Sequence, residues 1–140
     1  MSEFDNGHWS FDSQLGGLEY EGFIYVIRDP IEVLYYIGKK SYRTRSGPAS
    51  NWKRYMTSSK RVKQMMLERP EEHLERIVLE QYKTKGTLSW GEVWSIAQAR
   101  GPENARCLNV LMSKVSWNCK EKITAKHEQR LEAALNWEDL

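Results

Sequence analysis

The chain has little of several things that would make its chemistry easy to name. Its 140 residues include only two cysteines and three histidines. Cys107 and Cys119 form no C-x-x-C unit and stand too far apart for a zinc knuckle. They read as free, buried thiols in a reducing compartment in preference to a disulfide. His8, His73 and His127 are scattered, so neither a histidine metal cluster nor a Ser/His triad is visible. No stretch approaches the roughly 20 apolar residues of a membrane span, and no apolar run near the N-terminus resembles a signal peptide. The expected location is therefore cytoplasmic. There is no internal repeat and no linker long enough to divide the chain, which is long enough for one core of its own.

Charge of one sign is missing from two stretches. Residues 1 to 21 carry Glu3, Asp5, Asp12, Glu19 and Glu21 but no lysine or arginine. From Gly38 to Leu67 the pattern inverts, with Lys39, Lys40, Arg43, Arg45, Lys53, Arg54, Lys60, Arg61 and Lys63 and no acid. The net charge of +2 conceals this asymmetry. A basic block is often only a solvated face. This one is interleaved with Tyr42, Trp52 and Tyr55 and begins at a predicted strand end, which makes phosphate binding an equal reading.

What is present is a pair of short apolar runs, Phe23 to Ile27 and Val33 to Ile37, flanking Asp29-Pro30. Their β-branched and aromatic content and the turn signal predict a β-hairpin over about 22 to 38. Alternation puts Phe23, Tyr25 and Ile27 on one face and Ile24 and Val26 on the other; in the second strand Leu34, Tyr36 and Gly38 share a face, and Tyr35 reads as core. Gly38 would let the chain turn away or a phosphate approach. Residues 41 to 50 form a loop, and Ser50 is a plausible cap for a helix starting at Asn51-Trp52. Trp52, Tyr55 and Met56, then Val62, Met65 and Met66, give the stripe of an amphipathic segment that Pro70 ends.

Leu74 to Tyr82 suits a strand by its Ile77-Val78-Leu79 centre, although Glu71, Glu72 and Glu75 would suit a helix start; the strand is preferred. A turn at Lys85-Gly86 precedes a helix opening at Ser89-Trp90-Gly91-Glu92 and running to about Arg100, closed by Gly101-Pro102. Asn104 to Met112 is irregular or briefly helical. A last helix, about 120 to 136, turns Ile123, Leu131 and Leu135 inward. The order predicts an α+β fold: a three-stranded antiparallel sheet flanked by helices. Residues 1–21 read as an acidic, partly disordered extension that could dock on the basic face, and 22–140 as a single domain.

Gly22-Phe23-Ile24-Tyr25 followed by Tyr36-Ile37-Gly38 resembles the paired signature of the GIY-YIG nuclease family, especially its small phage-encoded homing-type or Seg-like endonucleases. Lys39-Lys40, Asn51-Trp52-Lys53-Arg54-Tyr55, Ser58-Ser59, Lys85-Gly86-Thr87, Glu92 and Asn109 follow in the order that family uses, over roughly residues 22 to 112. The resemblance implies hydrolysis of DNA phosphodiesters, most readily in double-stranded DNA, with Mg²⁺ or Mn²⁺ held by Glu92. It places Tyr25, Tyr36, Lys40, Tyr55, Glu92 and Asn109 in the catalytic set, with Asn118 a rival for Asn109. Lys39, Arg43, Arg45, Lys53, Arg54, Lys60, Arg61 and Lys63 become DNA-binding residues.

Tyr25 would act as base or positioner of the water, with Lys39 and Lys40 as the cations favouring phenolate. Ser89-x-x-Glu92 is also a capping box, in which Glu92 would fold back on the helix start. Asn51 stands where the family carries an arginine, and Arg43, Arg45 or Arg54 would have to replace it. That departure keeps a non-catalytic nucleic-acid-binding module as the alternative. With no zinc finger or helix-turn-helix signature, loose sequence preference is expected, and monomer and homodimer both stay open.

Overall fold

In a computed structural model, residues 5–31, 33–44, 47, 49–55, 63–64, 68, 73–99 and 122–135 are described. Every residue of β1 (Gly22–Asp29) is buried, because this strand lies in the middle of the sheet. It pairs antiparallel with β2 (Leu34–Ser41) on one side and β3 (Glu75–Tyr82) on the other, in the order β2-β1-β3. The hairpin turn follows from Asp29, whose Oδ1 accepts from Ile31 N at 3.0 Å, and from Val33, which takes a left-handed φ of 57°. The segment expected as a strand over Leu74 to Tyr82 is one from Glu75 on, as its apolar centre predicts.

Alternation along β1 divides the core as expected. Ile24 and Val26, with Tyr35, Ile37, Leu79 and Tyr82, pack beneath two helices: α1 (Lys85–Gln98) and α2 (Ala125–Ala134). Phe23, Tyr25 and Ile27 face the other way and join Trp9, Leu15, Tyr42, Leu74 and Val78. Tyr35 is core, and its hydroxyl donates to Ala99 O at 3.1 Å.

Two helix starts differ from expectation. α1 begins at Lys85, so Lys85-Gly86 is its first turn and not a loop. Thr84 caps it, its Oγ1 accepting from Thr87 N at 3.1 Å, and that capping hydrogen bond outweighs the turn tendency of Gly86. Ser89 and Glu92 are thus interior to the helix and form no capping box. Gly91 sits where a Cβ would strike Ile24 Cδ1, which explains the close approach of helix to sheet. Nor does Ser50 cap a helix: its Oγ donates to Ser41 O at 2.6 Å, fixing the end of β2. Residues 52–54 form a turn, with Arg54 N donating to Asn51 O at 3.2 Å. Farther on, Lys63, Gln64 and Glu68 are helical and exposed. Met56, Val62, Met65, Met66 and the 104–112 segment lie outside the described residues.

The acidic N-terminal segment is built into the sheet. Trp9 and Leu15 are buried, and Ser10 bridges β3, donating to Arg76 O at 2.8 Å and accepting from Val78 N at 3.0 Å. Low periodicity suggests disorder here, but two large apolar side chains and these backbone hydrogen bonds offset the ordering entropy.

α2 turns Leu131 and Ala134 inward, with Ile123 and Leu135 partly buried beside them. Arg130 clasps it to its neighbours, donating to Leu79 O at 2.9 Å and to Asp12 Oδ1 at 3.1 Å. His127 is fully buried. Ser95 Oγ gives its proton to Gly91 O at 2.6 Å and so accepts from His127 Nε2 at 2.7 Å. His127 Nδ1 then accepts from the Tyr82 hydroxyl at 3.0 Å, which itself accepts from Thr124 N at 3.2 Å. This directional chain assigns the neutral Nε2–H tautomer. Among the described residues no helix is long and apolar enough to cross a membrane.

Candidate active site

The register that pairs Tyr25 with Gly38 builds the centre of the site. A Cβ at Gly38 would collide with the Cζ and hydroxyl of Tyr25, so the glycine makes room for that ring. The chain does not turn there, since β2 continues to Ser41. Tyr36 and Tyr55 close on the same ring, each with its centroid 6.3 Å from that of Tyr25. Trp9 backs Tyr25 at 4.8 Å. The three expected tyrosines therefore share one face of the sheet, with Tyr25 buried and the other two half-buried.

Lys39 and Lys40 are consecutive in a strand and so serve opposite faces. Lys40 Nζ lies 4.1 Å from the centroid of the Tyr55 ring, a cation–π contact. Burial pushes its pKa down, and among the described residues it meets no carboxylate. Lys39 reaches around to α1 and donates to Ser89 Oγ at 2.7 Å. Of the two lysines expected beside the tyrosines, only Lys40 is there.

The turn that presents Tyr55 is held by the N-terminal segment. His8 N donates to Lys53 O at 3.0 Å, His8 Nε2 to Tyr55 O at 2.8 Å, and Trp9 Nε1 to Trp52 O at 2.6 Å. Sequence reasoning missed His8 and Trp9. Their signal was a His-Trp pair inside an otherwise acidic, polar stretch, which marks a segment with something to bury.

Glu92 is buried, at 7% exposure, within the inward stripe of α1. That helix covers the Ile24 face, opposite the three rings. On that side of β2 Lys39 touches Ser89, one turn before Glu92. Among the described residues there is no group of three histidines, cysteines or acids suited to a metal ion. A lone carboxylate still fits Mg²⁺, which keeps several waters and takes further oxygens from substrate phosphates.

The basic tract divides. Arg43 donates to Tyr20 O at 3.5 Å and lies 3.8 Å from Glu21, while Lys53 binds Asp5 at 2.6 Å. The Lys53 hydrogen bond holds the Asp5 carboxyl below its usual range. The acidic segment thus docks on part of the basic face. Arg54 and Lys63 are exposed. Arg45, Lys60, Arg61, Asn109 and the rival Asn118 lie outside the described residues. Asn51 is exposed in its turn, and of its proposed substitutes Arg43 is engaged by Glu21 whereas Arg54 has no side-chain partner among the described residues.

A three-stranded α+β domain that stacks two signature tyrosines across a hairpin defines the class. A family model described as "Putative endonuclease segE, GIY-YIG domain" matches residues 8–100, and the chain belongs to this GIY-YIG family of Seg-like endonuclease domains. The match begins at His8, so it includes the segment that holds Tyr55, and it ends before α2. Searches of curated proteins and of solved structures return no match.

Proposed function

We propose that the chain is a metal-dependent DNA endonuclease that cleaves duplex DNA with loose sequence preference. The observation that carries this reading is the gathering of Tyr36 and Tyr55 around the Tyr25 ring, with the Lys40 ammonium over Tyr55, in a domain of an endonuclease family. A phosphodiester is an anion, and hydrolysis places further charge on its oxygens. Lys40 supplies a positive charge that burial disfavours and an arriving phosphate would stabilise. The tyrosines act as hydrogen-bonding groups that place a water and a phosphate oxygen. The water oxygen bonds to phosphorus and the bridging P–O bond breaks, leaving a phosphate on one strand end and a hydroxyl on the other. Glu92 would hold Mg²⁺ or Mn²⁺, which supplies charge neutralisation at the scissile phosphate. The basic tract grips the backbone, and such contacts position a duplex without reading its sequence.

Nicking of supercoiled plasmid with Mg²⁺ tests the reading. The wild-type chain should nick, and Glu92→Ala should be slower by about 10²-fold or more, the scale of losing a main electrostatic contributor. Salt-sensitive DNA binding without cleavage across several divalent ions would overturn the enzyme and support the second reading, a non-catalytic binding module. Asn51 favours that alternative, because it is exposed in a turn where the family carries an arginine. Normal cutting by a Glu92→Ala protein that melts earlier would reduce Glu92 to a structural role.

A further inference from the structure

On the α1 side of β2 a groove of about 370 Å³ is lined by Lys39, Ser41, Arg43, Lys85, Leu88 and Ser89, with no carboxylate among the described lining residues and Glu21 3.8 Å from Arg43. We infer that this groove is a second phosphate subsite, taking a backbone phosphate of the nucleic acid on the face opposite the tyrosines; it rests on the nuclease reading above.

The groove is dominated by donors. The Lys39 ammonium spends one N–H on Ser89 Oγ at 2.7 Å and meets no carboxylate among the described residues, so two N–H groups remain. Ser89 accepts that hydrogen bond, and its own proton has no acceptor among the described residues. Lys85 is exposed and has no salt-bridge partner among those residues. Ammonium and hydroxyl donors around one small space suit an oxyanion with several acceptor oxygens.

Lys85 adds an independent argument. It is the first residue of α1, and the first turn contains no acid. A cation at the positive end of a helix dipole is in the unfavourable place. A bound phosphate reverses that penalty, since it faces both the dipole and the lysine. The Lys39–Ser89 hydrogen bond also fixes a flexible ammonium before the ligand arrives, which lowers the ordering cost of binding. Because Lys39 and Lys40 follow one another in β2 and serve opposite faces, a backbone wrapped over the β2 edge would meet one cation on each side.

The test is duplex binding over a range of salt, measured by fluorescence anisotropy on a labelled DNA duplex without divalent ions. Each lost phosphate contact lowers the slope of log K against log salt by about 0.9 for duplex DNA. Lys85→Gln should lose about one such step and Lys39→Gln with Lys85→Gln about two. Lys126→Gln, an exposed charge on α2, should keep the wild-type slope, and Tyr25→Phe should lose cleavage while keeping it. Wild-type slopes in both groove variants, with folded far-UV spectra, would overturn the subsite while leaving the nuclease reading intact. A wild-type chain that shows no salt-dependent duplex binding would overturn both.

Discussion

His127 packs between β3 and α1 as a neutral ring, and lowering the pH should unseat it. Burial, and secondarily the Arg130 guanidinium, pushes its pKa down from 6.5 to about 4. Between those values the unfolded chain binds a proton that the folded chain refuses, so stability must rise with pH across this window. The contribution is present in full above pH 6.5 and is lost as the pH falls towards 4. A displacement of this size corresponds to about 3 kcal/mol, with a steepest slope of about 1.4 kcal/mol per pH unit.

Protonation would also break the directional chain, because a proton on Nδ1 replaces the lone pair that accepts from Tyr82. Urea unfolding at pH 4.5 to 8 would measure it, with Trp94 as a local reporter, its ring edge-on to His127 at 5.4 Å. His127→Gln should be less stable at pH 7 by about 1–3 kcal/mol, the cost of leaving buried partners unsatisfied, yet flatter with pH. Asp5 and Asp12, held below the usual carboxylate value of 3.8 by Lys53 and Arg130, lose their contribution only below this window. A His127→Gln protein whose stability falls as steeply as the wild type between pH 6.5 and 4.5 would refute the reasoning.

Two stability measurements probe the other local arguments. Gly38→Ala drives a methyl into the Tyr25 ring and should cost about 1–3 kcal/mol by urea unfolding, as overpacking does; a loss below about 0.5 kcal/mol would show that the ring moves aside freely. Thr84→Ala removes the cap of α1 and should cost about 1 kcal/mol, whereas Ser89→Ala should cost less. Equal losses from the two would place the helix start at Ser89 after all.

The strands and their faces were legible because a period of two in Phe23 to Ile27 decides which residues meet which layer. The same alternation separated Tyr35, a core residue, from Tyr36, which lies beside Tyr25 on the other face. Helix starts were less legible. Ser89 looks like a cap in the sequence, yet Thr84 is the cap in the structure; the choice rests on which backbone N–H groups remain unpaired, which depends on how α1 meets the sheet. His127 was invisible for another reason: Tyr82 and Ser95 lie 45 and 32 residues away in sequence, and only the docking of α2 brings them together. The grouping of Tyr25, Tyr36 and Tyr55 followed from the family signature, while the props behind Tyr55, His8 and Trp9, lay in a stretch whose polar composition suggested disorder.

The Ser10 bridge has a consequence beyond the site. A three-stranded sheet has two rims, and each offers unpaired N–H and C=O groups to any other chain. One rim, β2, carries Lys39 and Lys40, charges that discourage a second strand from adding. The other, β3, is occupied around Ile77 by Ser10 of the same molecule. The acidic segment thus pairs part of what would otherwise be an open edge: without it, the rim around Ile77 would present unpaired backbone groups to a neighbouring strand.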